Sequence, residues 1–161
     1  MQEMNVTLQE RVDAVRQQME AACMRAGRSP AAVQLLPITK TFGPEVVQAA
    51  AALGLTTFGE NRVQEALQKI PLCPGHLRWH MVGHLQSNKV RGAVAAFDLL
   101  HAVDSLRLLP LIESSAQQEG RTLPVLLEVN VAGESSKFGL APDAVEEVLL
   151  ASQQMLHVQV K

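Results

Sequence analysis

Lys40 closes the apolar run "VQLLPIT" (33 to 39), just before Gly43-Pro44, and so stands where a buried strand would empty into a loop. A lysine there has two uses. It can lay its stem on the core and hold its charge in water, or its primary amine can condense with an aldehyde. An ammonium is not a nucleophile, so the second use needs partial burial or a neighbouring cation to free the amine of its proton. Other polar residues follow later apolar runs: Gly59, Glu60 and Asn61; His80, Gly83 and His84; His101 and Asp104; Glu128 and Asn130, with Lys137 beyond. In parallel α/β folds the loops after the strands converge into one site, which makes these the candidates.

Several other chemistries are excluded. His76, His80 and His84 recur every fourth residue, but "LRWHMVG" reads as a strand, where such a set spreads over about 13 Å. One metal ion cannot bridge it, and no metal site is expected. "GESSKFG" (133 to 139) resembles a phosphate loop only superficially, because its Lys is followed by Phe and its glycines are misplaced. No GxGxxG turn follows an early strand, so a dinucleotide site is not expected either. Asn88 and Lys89 near a helix start read as a solvated cap, although a helix N-terminus can hold an anion.

The elements that position these residues alternate. Leu8, Val12, Val15, Met19, Ala22 and Cys23 recur at helical spacing, with Thr7 and Glu10 as a capping box and Gly27 as the stop. Five strand and helix pairs follow, then a sixth strand in "LHVQVK". Pro44 and Gly54 bracket the first of those helices, and Asn61 is the expected N-cap of the second. Strict alternation implies a parallel sheet with helical crossovers, which fits either a doubly wound sheet or a (β/α)8 barrel, although six strands fall two short of the latter.

Composition sets the frame. The 161 residues, 47% hydrophobic, suit one domain spanning 1–161. A net charge of −2 gives no reason to expect nucleic acid. No apolar run is long enough for a membrane span and no leader is evident. Two cysteines in unrelated contexts fit a reducing cytoplasm.

The segments "GRSP", "LLPITKT", "FGENRVQEALQKI", "RWHMVGHLQSNK", "HAVDS" and "LEVNVAGESSKFG" together resemble the pyridoxal phosphate homeostasis proteins, which look like the barrel domain of alanine racemase. The resemblance implies a (β/α)8 TIM-barrel type of fold preceded by a helix, here incomplete with about six strands and lacking strands seven and eight, where the family grips the phosphate. It implies pyridoxal 5′-phosphate as cofactor, held by Lys40 as an aldimine, with Glu60, Asn61, His80, Gly83 and Asn130 lining or supporting the pocket and Lys137 as a secondary amine.

The implied function is vitamin B6 homeostasis without catalytic turnover, and no catalytic residue is assigned. The implied recipients are apo enzymes that use pyridoxal phosphate, and the expected state is a monomer, with self-association possible through open barrel edges. Three other readings compete. Racemases of this barrel type use a Tyr from a second domain opposite the lysine, and this chain has no Tyr. A cofactor-free Schiff-base aldolase rests on the lysine alone. A remnant unable to bind is the fourth reading.

Overall fold

The computed structural model describes residues 7–161. It opens with α1 (Leu8–Arg25), capped as the sequence expects: Glu10 N donates to Thr7 Oγ1, and Thr7 N donates to the Glu10 carboxylate at 2.7 Å. Val12 and Cys23 are its buried positions, and Arg16 donates to the Leu53 carbonyl at 2.9 Å.

Five parallel strands follow in one sheet: β1 (Thr57–Glu60), β2 (Arg78–Met81), β3 (Leu99–Val103), β4 (Leu123–Leu127) and β5 (Val158–Val160). The helices α2 (Pro44–Ala52), α3 (Val63–Lys69), α4 (Val90–Ala96), α5 (Leu108–Gln118) and α6 (Val145–Ser152) alternate with them. Each strand lies beside its predecessor in the chain. The order never reverses, so the sheet has no switch point of the doubly wound kind. Sequential parallel order is that of a (β/α)8 barrel, left open here.

The sequence leads one to expect a strand at 33–39, and the structure reduces it to one parallel bridge between Ile38 and Gly59. Gly59 N donates to Pro37 O and Thr39 N donates to Gly59 O, both at 2.9 Å. Pro37 has no N–H to extend the ladder, and the turn at Lys40 and Thr41 ends it on the other side. Asn61 is not the N-cap of α3; Arg62, in extended conformation, takes that place without a side-chain bond.

Register explains why the sheet has two unlike faces. Parallel pairing sets Phe58 beside Trp79, and Glu60, Met81, Leu100 and Val125 in one row. All six are buried, in the core shared with Val63, Ala66, Ala93, Leu109 and Ile112 of the helices. The alternate positions Gly59, His80 and Leu99 form a row on the opposite face. Of these, His80 and Leu99 remain partly open. That second face is the one a closed barrel turns inward.

Candidate functional site

Lys40 is exposed and makes no ion pair among the described residues. It sits at the C-terminal end of the edge segment, two residues past the Ile38 bridge. Thr41, next to it, has φ of 68°, a left-handed conformation unfavourable to a β-branched side chain.

The neighbouring strand ends bring the other candidates around the same rim. Asn61, just past β1, is partly exposed and lines a groove of about 390 Å³ with Met81, His84 and Lys89. Gly83 lets the chain after β2 close on it: a Cβ at residue 83 would lie 2.3 Å from the Asn61 carbonyl oxygen. Gly83 therefore supports Asn61 from its backbone. Glu60 is a different case. Its side chain is fully buried on the helix-facing side, where it accepts from Thr39 Oγ1 and Lys69 Nζ, each at 2.6 Å. It stands behind the rim and lines no open surface.

His80 belongs to the open face. Its Nδ1 lies 3.1 Å from Nε2 of His101, one proton shared between the two rings. Burial pushes both imidazoles below their ordinary value, and the neighbouring His101 lowers His80 further. A neutral pair bonded in this way keeps one donor and one acceptor between His80 Nε2 and His101 Nδ1. Beyond β2, His84 Nδ1 donates to Asp104 Oδ2 at 2.7 Å.

The loop after β4 closes the far side. Asn130 N donates to Leu140 O at 2.8 Å and Leu140 N to Glu128 O at 2.7 Å. This closure needs Gly139, whose φ is 119° and where a Cβ would lie 2.7 Å from Asn130 N. The Asn130 amide is turned to the Glu134 carbonyl at 2.9 Å. Lys137 is exposed and donates to Glu134 at 2.8 Å. Phe138 stacks on His84, which carries the loop across toward β2.

Sequence reasoning missed Lys69, Thr39 and Phe138. Lys69 had a signal: Val63, Ala66 and Lys69 recur every third residue and all three are buried, so the charge falls in an apolar stripe. The histidine triad does not assemble, and no cluster of metal-ligating groups occurs among the described residues.

The family described as "Alanine racemase, N-terminal domain" matches residues 11–161. The pyridoxal phosphate homeostasis protein of Aquifex aeolicus is 37% identical over 152 residues, covering 94% of this chain and 67% of the relative. That of Pseudomonas aeruginosa is also 37% identical, over 96% of this chain and 68% of the relative. The chain belongs to the pyridoxal phosphate homeostasis protein family. It spans about two thirds of the length of these homeostasis proteins. PipY of Synechococcus elongatus, in a structure with pyridoxal phosphate bound, superposes with a TM-score of 0.75 at 34% identity over 89% of this chain and 67% of its own. The family's alanine racemase-like barrel is thus the fold of this homeostasis-family chain, and its sequential sheet is the part of that barrel present here.

Proposed function

We propose that the chain binds pyridoxal 5′-phosphate through a Schiff base on Lys40 and serves intracellular vitamin B6 homeostasis, without turnover of its own. The observation that carries this reading is the exposed Lys40 amine at the strand-end rim, in a chain 34% identical to a protein whose structure is described with pyridoxal phosphate bound. The residues suit such a ligand. The Lys40 side chain is exposed and so within reach of an aldehyde, without the partial burial that Schiff-base chemistry favours. Asn61 offers an amide at the adjacent strand end, and the lowered pKa values of His80 and His101 leave that pair neutral on the open face. When bound, the cofactor supplies an aldehyde that an amine can hold and release.

The chain's own part is to present Lys40, to keep Asn61 in place through Gly83, and to cover the rim with the loop that carries Asn130 and Lys137. Lys137 is a second amine on that loop and a candidate for secondary capture. One domain, 1–161, carries all of these groups. Recipients are apo enzymes that use the same cofactor, met in the cytoplasm.

A transfer experiment tests the function. Protein loaded with pyridoxal phosphate and freed of excess is mixed with an apo enzyme, and recovery of that enzyme's activity is followed. Recovery faster than with an equal amount of the cofactor bound to serum albumin supports hand-over. Recovery no faster than that contradicts it.

A further inference from the structure

The three groups of Thr39 that can hydrogen-bond are all held, and two of them are held by one buried ion pair. Thr39 N donates to Gly59 O at 2.9 Å. Its hydroxyl donates to Glu60 Oε1 at 2.6 Å, and its carbonyl accepts from Lys69 Nζ at 2.7 Å and, across the turn that carries Lys40 and Thr41, from Phe42 N at 3.1 Å. Lys69 and Glu60 are themselves paired at 2.6 Å, with side chains 7% and 0% exposed. Thr39 immediately precedes Lys40.

A buried ion pair is poor value as plain stabilisation, since well-packed apolar residues of similar volume often do as well or better. Here the cost is compounded, because Glu60 Oε2 is buried with no partner among the described residues. The surroundings are apolar, with Phe58, Val63 and Ala66 all buried in the same core, so Leu or Met at 60 and 69 would also hold α3 on the sheet. What apolar residues could not do is grip Thr39.

The grip has a reason in the strand. The edge segment has only one bridge to the sheet, and the turn closed beyond it by Phe42 N on Thr39 O is local and not itself tied to the sheet. Lys69 and Glu60 substitute for the ladder that Pro37 and the turn cut short. Together with the turn bond from Phe42 N they fix the peptide plane between Thr39 and Lys40, next to a Thr41 strained at φ 68°. Strain of this kind persists only where the surroundings over-determine it.

We propose that Glu60, Lys69 and Thr39 form a clamp whose work is to position Lys40, with Glu60 and Lys69 as positioning residues acting through Thr39. This rests on the reading of Lys40 as the amine that holds the cofactor.

Thr39→Val removes one hydroxyl at nearly constant volume and leaves Glu60 Oε1 its bond from Lys69, with thermal unfolding as the check that it is folded; Thr39→Ser restores the hydroxyl. The first readout needs no cofactor: trace acetylation with acetic anhydride and peptide mapping gives the rate at Lys40 relative to Lys89 and Lys137 in the same digest. The ratio is expected to change about threefold or more in Thr39→Val, as for one lost buried hydrogen bond, and to return in Thr39→Ser. The second readout is the visible circular dichroism of added pyridoxal phosphate. Thr39→Val should keep the borohydride-reduced adduct on Lys40 while losing most of the induced dichroism.

An unchanged acetylation ratio and unchanged dichroism in Thr39→Val overturn the clamp. If wild-type Lys40 takes no pyridoxal phosphate, the reading of the site fails, and the acetylation ratio alone then decides the clamp. Lys69→Met, provided thermal unfolding shows it folded, must change the ratio as Thr39→Val does; a wild-type ratio in that variant also overturns the proposal.

Discussion

Phe138 lies flat on His84, ring centroids 3.7 Å apart and planes 12° from parallel. His84 is in turn held by Asp104 at 2.7 Å. Three successive strand-end loops are joined by this one column, although Phe138 is itself 58% exposed. The stack therefore works less as core than as a latch for the loop that carries Lys137.

Removing the latch should free the loop without unfolding the domain. An aromatic pair contributes about 0.5–1.5 kcal/mol beyond its burial, so Phe138→Ala should speed limited proteolysis within 131–139 by roughly two- to tenfold. His84→Ala should do the same. Cleavage at the wild-type rate in both would show that the stack does not hold the loop.

The His80 and His101 pair should titrate below the ordinary value of 6.5 when followed by NMR, since burial disfavours both charged forms. An imidazole lowered in this way binds its proton less readily folded than unfolded. The unfolded chain then takes up more protons below 6.5, and stability falls as pH drops from there through the lowered values. His101→Asn removes a like charge and opens the pocket, so the His80 midpoint should rise. A midpoint that stays put or falls contradicts this account of its cause.

Glu113 ties α5 to β5. Burial by itself raises its carboxyl, but bonds from the His157 ring at 2.8 Å, His157 N at 2.8 Å and Leu156 N at 3.1 Å outweigh this and hold it below 4.5. Its stabilisation is fully present above 4.5 and is lost as pH falls through the lowered value. In urea unfolding at a series of acid pH values, Glu113→Gln should show a shallower loss of stability than wild type. Glu10, also held down by its capping bonds to Thr7, keeps contributing in both proteins. Identical acid limbs would contradict the role given to Glu113.

Local signals in the sequence agree with the structure where local chemistry decides the outcome. Thr7 and Glu10 cap α1, Pro44 opens α2, and Gly54 with φ of 81° follows its end. Alternation gave parallel strands, but the choice between an open doubly wound sheet and a barrel depends on strand order, which no single segment encodes. The resemblance supplied it. The sequence overstates the edge strand because Pro37 looks like one more apolar residue when it is a missing donor. Asn61 looked like a cap because its side chain suits one; the close approach of Gly83, a contact across 22 positions of sequence, was invisible.

At the site, a place at the rim could be expected for Lys40, which follows an apolar run, and for Lys137, which lies in the polar loop beyond Asn130. The side chain of Glu60 could not be placed. Alternation along β1 leaves its direction to which face the helices cover, and only the structure shows Lys69 meeting it at 2.6 Å. A buried polar pair is a tertiary fact, with its two members nine residues apart and on different elements.

The claim on which the rest depends is that Lys40 is the amine that holds pyridoxal phosphate. The direct measurement is borohydride reduction of the protein mixed with one equivalent of pyridoxal phosphate, followed by peptide mapping, for wild type and Lys40→Ala. The account predicts a dominant reduced adduct on Lys40 in wild type and its loss in Lys40→Ala, with any labelling above background elsewhere confined to Lys137. An adduct spread over the surface lysines, or equal incorporation in the two proteins, would contradict it.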